Sequence, residues 1–253
     1  MKKRLVIKIG TTTLTGGTKR ISFGKIEDIA RQAEALKDEY DIVLVSSGAI
    51  AAARQFVSIF GDSVELESKQ AMAAIGQPKL MRFYEEIFEK YSLKTAQCLM
   101  TYRDFENDNS KENTKSTLLK LLEHGYIPIV NENDTVAVEE ILLGDNDKLS
   151  ALVASVIDAG ILIIASDIDG LYDSNPHLNS EARLIEEVCD LDMVKNFVAD
   201  KSGGQGTGGM SSKIEAAKIC QKSKVSMWIV NGGVKDFIIK ALTNEILFTK
   251  FKI

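Results

Sequence analysis

The sequence predicts an α/β fold, a three-layer αβα sandwich around a mainly parallel central sheet. Three observations carry this prediction. Six short apolar runs recur along the chain, helix-period patterns fall between them, and polar, glycine-bearing clusters follow several of the runs. Short apolar runs without alternation suit strands covered on both faces. Strand and helix in alternation build parallel βαβ units.

The first strand is Leu5–Ile9. A helix follows, with Ser22 at its cap and Ile26, Ile29, Ala30, Ala33 and Leu36 on one face. The second strand is Ile42–Ser46, trailed by a small, helix-compatible run. A helix over Pro78–Tyr91 precedes the third strand, Thr95–Met100. A helix over Ser116–His124, ended by Gly125, leads to the fourth, Ile127–Asn131. Lys148–Ile157 and Ile161–Ser166 form the next helix and strand, then Ser211–Ser223 and Val225–Val230, and Val234–Leu242 closes the series. Two polar stretches, Arg103–Lys115 and Asp167–Glu181, read as mobile loops. There are three prolines and no low-complexity linker, so residues 1–253 read as one domain. Its two lobes divide near residue 160.

A chain of 253 residues buries roughly 70–75% of its unfolded surface and needs no disulfides. Its three cysteines, Cys98, Cys189 and Cys220, are far apart and form no CxxC or Cys/His cluster, so neither a disulfide framework nor a structural zinc site is expected. This usage suits a reducing cytoplasm. The opening "MKKRLVIKIG" is too short in its apolar run for a signal peptide, and no stretch nears the ~18 apolar residues of a membrane span. A net charge of −5 argues against non-specific nucleic-acid binding.

In doubly wound sheets, ligands bind beyond the carboxyl ends of the strands. Lys8 and Gly10 end the first strand. Alone, Lys8 is an edge or surface lysine; with its neighbours it is an ammonium aimed at a phosphate over a glycine turn. Ser46-Ser47-Gly48-Ala49 ends the second, either as a simple helix cap or as a polar-ligand site. Asn131-Glu132-Asn133-Asp134-Thr135 ends the fourth, and Gly144-Asp145-Asn146-Asp147-Lys148 follows; each alone is an ordinary polar turn. Ser166-Asp167-Ile168-Asp169-Gly170 ends the fifth and lacks the twelve-residue frame of a calcium loop. Finally "GTGGMSSK", Gly206–Lys213, opens a helix. It is neither a Walker A loop nor GxGxxG after the first strand. The two histidines, His124 and His177, lie outside these clusters, so nucleophilic hydrolysis is poorly supported. Two lysines, glycine turns and Asn/Asp groups suit phosphoryl transfer, which rests on positioning and charge.

Taken in order, "KIGTTTL", "VSSGAIAAA", "NENDTV", "GDNDKLSALVA", "SDIDGLY" and "GTGGMSSKIEAA" resemble the motifs of the amino acid kinase family over nearly the whole chain. The resemblance implies ATP and Mg²⁺ as cofactors and L-glutamate as the acceptor, phosphorylated on its γ-carboxylate in the first step of proline biosynthesis. It implies catalytic roles for Lys8, Lys213 and Asp147, the last orienting both lysines. It places the amino acid on Ser47, Gly48, Asn131, Asp134 and Asn146. It places the nucleotide on Lys8, Gly10, Ser166, Asp167, Thr207, Gly208, Gly209, Met210, Ser211, Ser212 and Lys213, with no metal ligand from the protein. It further implies a homo-oligomer, dimer or tetramer, and a partner reductase that consumes the glutamyl phosphate. Many members carry a C-terminal RNA-binding-like domain, which the motif series here does not include. Ser166 and Ser212 stand where threonine is common, and Asp173 and His177 replace other residues in the nucleotide loop.

The chemistry agrees with that reading. A γ-carboxylate, whose pKa in water is about 4.3, is ionised at neutral pH and needs no base. Its obstacle is repulsion from the triphosphate, which two ammonium groups offset. A carboxylate such as Asp134 suits a free α-ammonium, which N-acetylglutamate lacks. The alternatives are another kinase of the family acting on a small carboxylate such as N-acetylglutamate, a carbamate or a phosphate, a nucleotide-binding regulator without catalysis, and a dinucleotide-dependent oxidoreductase. Met210 either packs on the adenine or belongs to the core.

Overall fold

The computed structural model describes residues 2–58, 65–137, 146–174, 179, 181–191 and 207–252, with 207–209 described for backbone alone. Gly144, Asp145, His177 and Gly206 lie outside the described residues. Among the described residues, eight strands form one sheet in the order β3-β4-β2-β1-β5-β7-β8-β6. They are β1 (Lys3–Ile9), β2 (Tyr40–Ser46), β3 (Lys94–Met100), β4 (Tyr126–Glu132), β5 (Ile161–Ser166), β6 (Glu187–Val188), β7 (Ser226–Asn231) and β8 (Thr249–Phe251). All neighbouring pairs are parallel except β7 with β8. The eight helices described are α1 (Thr11–Thr15), α2 (Phe23–Leu36), α3 (Ala49–Arg54), α4 (Leu66–Glu89), α5 (Asp108–Glu123), α6 (Asp147–Val156), α7 (Thr207–Lys222) and α8 (Phe237–Leu242).

Two apolar layers follow from strand alternation. Leu5, Ile7 and Ile9 of β1 pack with Ile26, Leu80 and Phe237 on one face. Val6 joins Leu118, Leu149 and Ile214 on the other. Lys8 is two residues beyond Val6, so β1 turns it toward the face covered by α5, α6 and α7. The strand bonds β2 on one side and β5 on the other, in the middle of the sheet. Lys8 is buried there, which removes its edge-strand or surface reading. The sheet order reverses between β1 and β5, and the turns leaving Ile9 and Ser166 diverge from that crevice.

Two expectations are corrected. The helix expected to start at Pro78 begins twelve residues earlier, at Leu66, with Pro78 inside it. Its buried stripe, including Met72, Ala73, Leu80 and Tyr84, continues on both sides of the proline, so packing outweighs the missing backbone bond. The stretch Arg103–Lys115 is not a loop. It holds a 3-10 turn, Tyr102–Phe105, closed by reciprocal bonds between Thr101 and Asp104. It also holds the first half of α5, where Asn107 accepts from the backbone N–H groups of Asn109 and Ser110. The strands β6 and β8, two and three residues long, and the antiparallel β7–β8 pair are not among the strands the sequence predicts. Ser22 does occupy the cap position of α2, without a side-chain capping bond.

Candidate functional site

Asp147 opens α6 and is fully buried. Its Oδ1 lies 2.7 Å from Lys8 Nζ and its Oδ2 lies 2.9 Å from Lys213 Nζ. Ser212 Oγ donates to the same Oδ2 at 3.3 Å. β1 and α7 thus bring two ammonium groups and one hydroxyl to the one carboxylate that α6 supplies. Burial alone pushes the Asp147 pKa up; the charges of Lys8 and then Lys213, with their hydrogen bonds, outweigh it and hold the carboxyl below its ordinary value. The position at the first turn of a helix favours the same ionised form.

Asn146, immediately before Asp147, is also fully buried. Its Nδ2 donates to Ser47 Oγ at 3.1 Å and to Asn131 Oδ1 at 2.8 Å. Ser47 follows β2 and Asn131 lies in β4, so three strand or helix ends meet in one polar cluster. Gly48 comes next after Ser47 with φ +110°, a conformation side chains rarely adopt, and a Cβ there would press on Leu14 Cδ1 at 3.1 Å. Asp134 sits in the turn after β4. Burial, then the charge of Glu132, raises its pKa to about 7. Asp134 Oδ1 and Asn146 Oδ1 are both buried, and neither has a hydrogen-bond partner among the described residues. Buried polar atoms of this kind ordinarily have partners.

On the other side of the crevice, Ser166 ends β5 and its Oγ donates to Asp167 Oδ1 at 3.2 Å. Asp167 itself is exposed. Gly10, at the end of β1, leaves the space beside Lys8 Nζ open, 3.4 Å from where a Cβ would stand. Thr207, Gly208 and Gly209 form the first turn of α7, and Ser211 next to them is exposed. Met210 packs partly buried against the core of that face.

Several neighbours were not read from sequence. Asp169 accepts from Asn231 Nδ2 at 2.9 Å and from the Tyr172 hydroxyl at 3.1 Å, tying the loop after β5 to the end of β7. Gln77 of α4 accepts from Asn131 Nδ2 at 2.9 Å. Its signal was a glutamine in the buried stripe of an amphipathic helix, between Gly76 and Pro78. Among the described residues, no group of three or more His, Cys, Asp or Glu is placed to share a metal ion. No helix described is long and apolar enough to cross a membrane.

This arrangement, a sheet crevice holding two lysines on one carboxylate beside a polar pocket, defines a phosphoryl-transfer class. The model of the amino acid kinase family matches residues 3–231, and the chain belongs to that family. It is 42% identical over 251 residues to glutamate 5-kinase of Herpetosiphon aurantiacus, covering 98% of this chain and 68% of that protein. It is 44% identical to glutamate 5-kinase of Dehalococcoides mccartyi (strain CBDB1), covering 98% and 68%. It is 45% identical to glutamate 5-kinase of Clostridium acetobutylicum, covering 96% and 91%. Among solved structures, UMP kinase from Ureaplasma parvum superimposes with a TM-score of 0.70 over all of both chains at 20% identity, a likeness of fold.

Proposed function

We propose that the chain transfers the γ-phosphoryl group of ATP to the γ-carboxylate of free L-glutamate, giving L-glutamyl 5-phosphate at the opening of proline biosynthesis. The observation that carries this reading is the pair of ammonium groups held by Asp147 at 2.7 and 2.9 Å. Two charges fixed in a buried crevice lower the cost of bringing an anionic acceptor to an anionic donor, and cost no reorganisation during transfer. The acceptor carboxylate is ionised already, so no proton needs to be removed. The bond from the γ-phosphorus to the bridging oxygen of ADP breaks as the bond to the glutamate carboxylate oxygen forms.

The amino acid lies on the Ser47–Asn131–Asn146–Asp134 side. Asp134 Oδ1 and Asn146 Oδ1, buried and without partners among the described residues, accept from its α-ammonium. Ser47 Oγ, having accepted from Asn146, still has a proton to give the α-carboxylate. The nucleotide lies on Gly10, Ser166, Asp167 and the first turns of α7, from Thr207 to Lys213. In this assignment residues 1–160 carry the acceptor and 161–253 the nucleotide. Asp147 is already engaged by two lysines, so a magnesium ion fits as one carried in on the phosphates, without a protein cage. When bound, it supplies further neutralisation of phosphate charge. The reactive acyl phosphate calls for a reductase that consumes it. A cytoplasmic homo-oligomer completes the reading.

Coupled ADP release with MgATP tests it, run in parallel with L-glutamate, N-acetyl-L-glutamate, L-aspartate and UMP. Turnover with glutamate alone is expected. Turnover with N-acetylglutamate or UMP and none with glutamate overturns the substrate while leaving the phosphate crevice in place.

A further inference from the structure

Side-chain amides of Asn and Gln look alike end for end, so only a neighbour of known polarity fixes their direction. One is present here. The backbone N–H of Glu132 can only donate, and it donates to Asn131 Oδ1 at 2.9 Å. That turns Asn131 Nδ2 to Gln77 Oε1, which accepts at 2.9 Å. Gln77 Nε2 then donates to Gln97 Oε1 at 3.2 Å, on the sheet's edge strand β3. Inward, Asn131 Oδ1 also accepts from Asn146 Nδ2, whose second hydrogen goes to Ser47. Both Asn146 hydrogens are therefore spent, and its Oδ1 is left as an acceptor. The polarity of the recognition pocket is written by a chain of amides starting at one backbone N–H.

Gln77 holds the outer end of this chain, and helix packing puts it there. It is buried on the inward stripe of α4. The residue before it, Gly76, has no room for a side chain: a Cβ would lie 1.8 Å from Ala49 O. α4 thus meets the backbone of α3 directly, just after the Ser47–Gly48 turn, and this approach brings the Gln77 amide within reach of Asn131.

We propose that Gln77 is a positioning residue for selection of a free amino group: by accepting from Asn131 Nδ2 it steadies the amide that the Glu132 N–H orients, and so holds the Asn146 oxygen, not its nitrogen, toward the acceptor's ammonium. The proposal rests on the reading above that glutamate binds at this cluster. Gln77 touches neither reactant, so its loss acts on recognition of the amino acid and leaves the nucleotide side alone.

The test is steady-state kinetics on Gln77→Met, which keeps length and packing but not the hydrogen bonds, together with Asn146→Ala and the double variant. The expected result is KM for glutamate raised about tenfold or more in Gln77→Met, with KM for ATP and kcat within about threefold. The double variant is expected to cost no more than Asn146→Ala alone, because both changes break one chain. Unchanged KM for glutamate, equal rises in both KM values, or additive losses overturn the proposal. If Gln77→Met does not fold, Gln77→Asn carries the same test, since it keeps the amide but falls short of Asn131. Parent enzyme inactive on glutamate overturns the substrate reading itself, and this proposal with it, before any variant is compared.

Discussion

Asn146 and Asp147 are chain neighbours, both fully buried, and they bind in different directions: Asn146 donates to Ser47 and Asn131, whereas Asp147 takes the ammonium groups of Lys8 and Lys213. One turn at the head of α6 therefore joins the amino-acid pocket to the phosphate crevice. A displacement of that turn moves both at once, which keeps acceptor and donor in register.

Asp147→Asn separates the two halves. It leaves two ammonium groups beside a neutral amide that cannot orient both. We expect kcat to fall roughly 10²–10³-fold, the usual loss for a fixed charge-stabilising group. Breaking a buried charge pair costs about 3–5 kcal/mol, so thermal stability falls as well. Kinetics and a melting curve on the same preparation check both, and KM for glutamate should move far less than kcat.

Asp134 predicts an unusual pH dependence. Folded, it keeps its proton to about pH 7; its ordinary value is 3.8. The folded state thus binds that proton more tightly than the unfolded chain, and the ligand-free protein loses stability as pH rises from about 4 to about 7. The loss is on the order of 2–4 kcal/mol once complete. Asp134→Asn removes it, so the variant is expected to melt above the parent at pH 8 and near it at pH 4. Glutamate's ammonium favours the charged carboxylate, so parent KM for glutamate should fall by up to about tenfold per pH unit as pH rises toward about 7. The variant should lose that slope along with most of its affinity.

Gly76→Ala tests the contact that seats α4. Its Cβ would stand 1.8 Å from Ala49 O and 2.8 Å from Ala53 N, both backbone atoms of α3 or its edge. The helices have to part, and overpacking of this kind costs roughly 1–3 kcal/mol or more. A lowered melting temperature with a raised KM for glutamate is expected, because α3 follows the Ser47–Gly48 turn. A melting temperature equal to the parent's would show that the two helices are free to separate.

The sequence was most legible where chemistry and periodicity coincide. Lys8 stood out because a lysine is unwelcome in a central strand, and the alternation of β1 accounts for the face it takes. Asn131, Asn146 and Asp147 were visible as polar clusters after apolar runs. What stayed hidden depended on packing. The start of α4 at Leu66 was masked by Pro78, which locally reads as a helix beginning. The polar run Arg103–Lys115 read as loop because its helix is stabilised by caps and by one buried residue of α5, Leu118, rather than by a broad apolar face. Gln77 was hidden because a buried glutamine in an apolar stripe acquires meaning only from its partner, 54 residues away in sequence.

The most direct measurement combines product trapping with the two lysines. Parent protein, Lys8→Met and Lys213→Met are each incubated with MgATP, L-glutamate and hydroxylamine, and ADP and γ-glutamyl hydroxamate are counted together. Equal amounts of ADP and hydroxamate from the parent, with both falling roughly 10²–10³-fold in each variant, are the predicted result. ADP without hydroxamate, or parent-like hydroxamate from both variants, would contradict transfer to the glutamate carboxylate at the Lys8–Asp147–Lys213 centre.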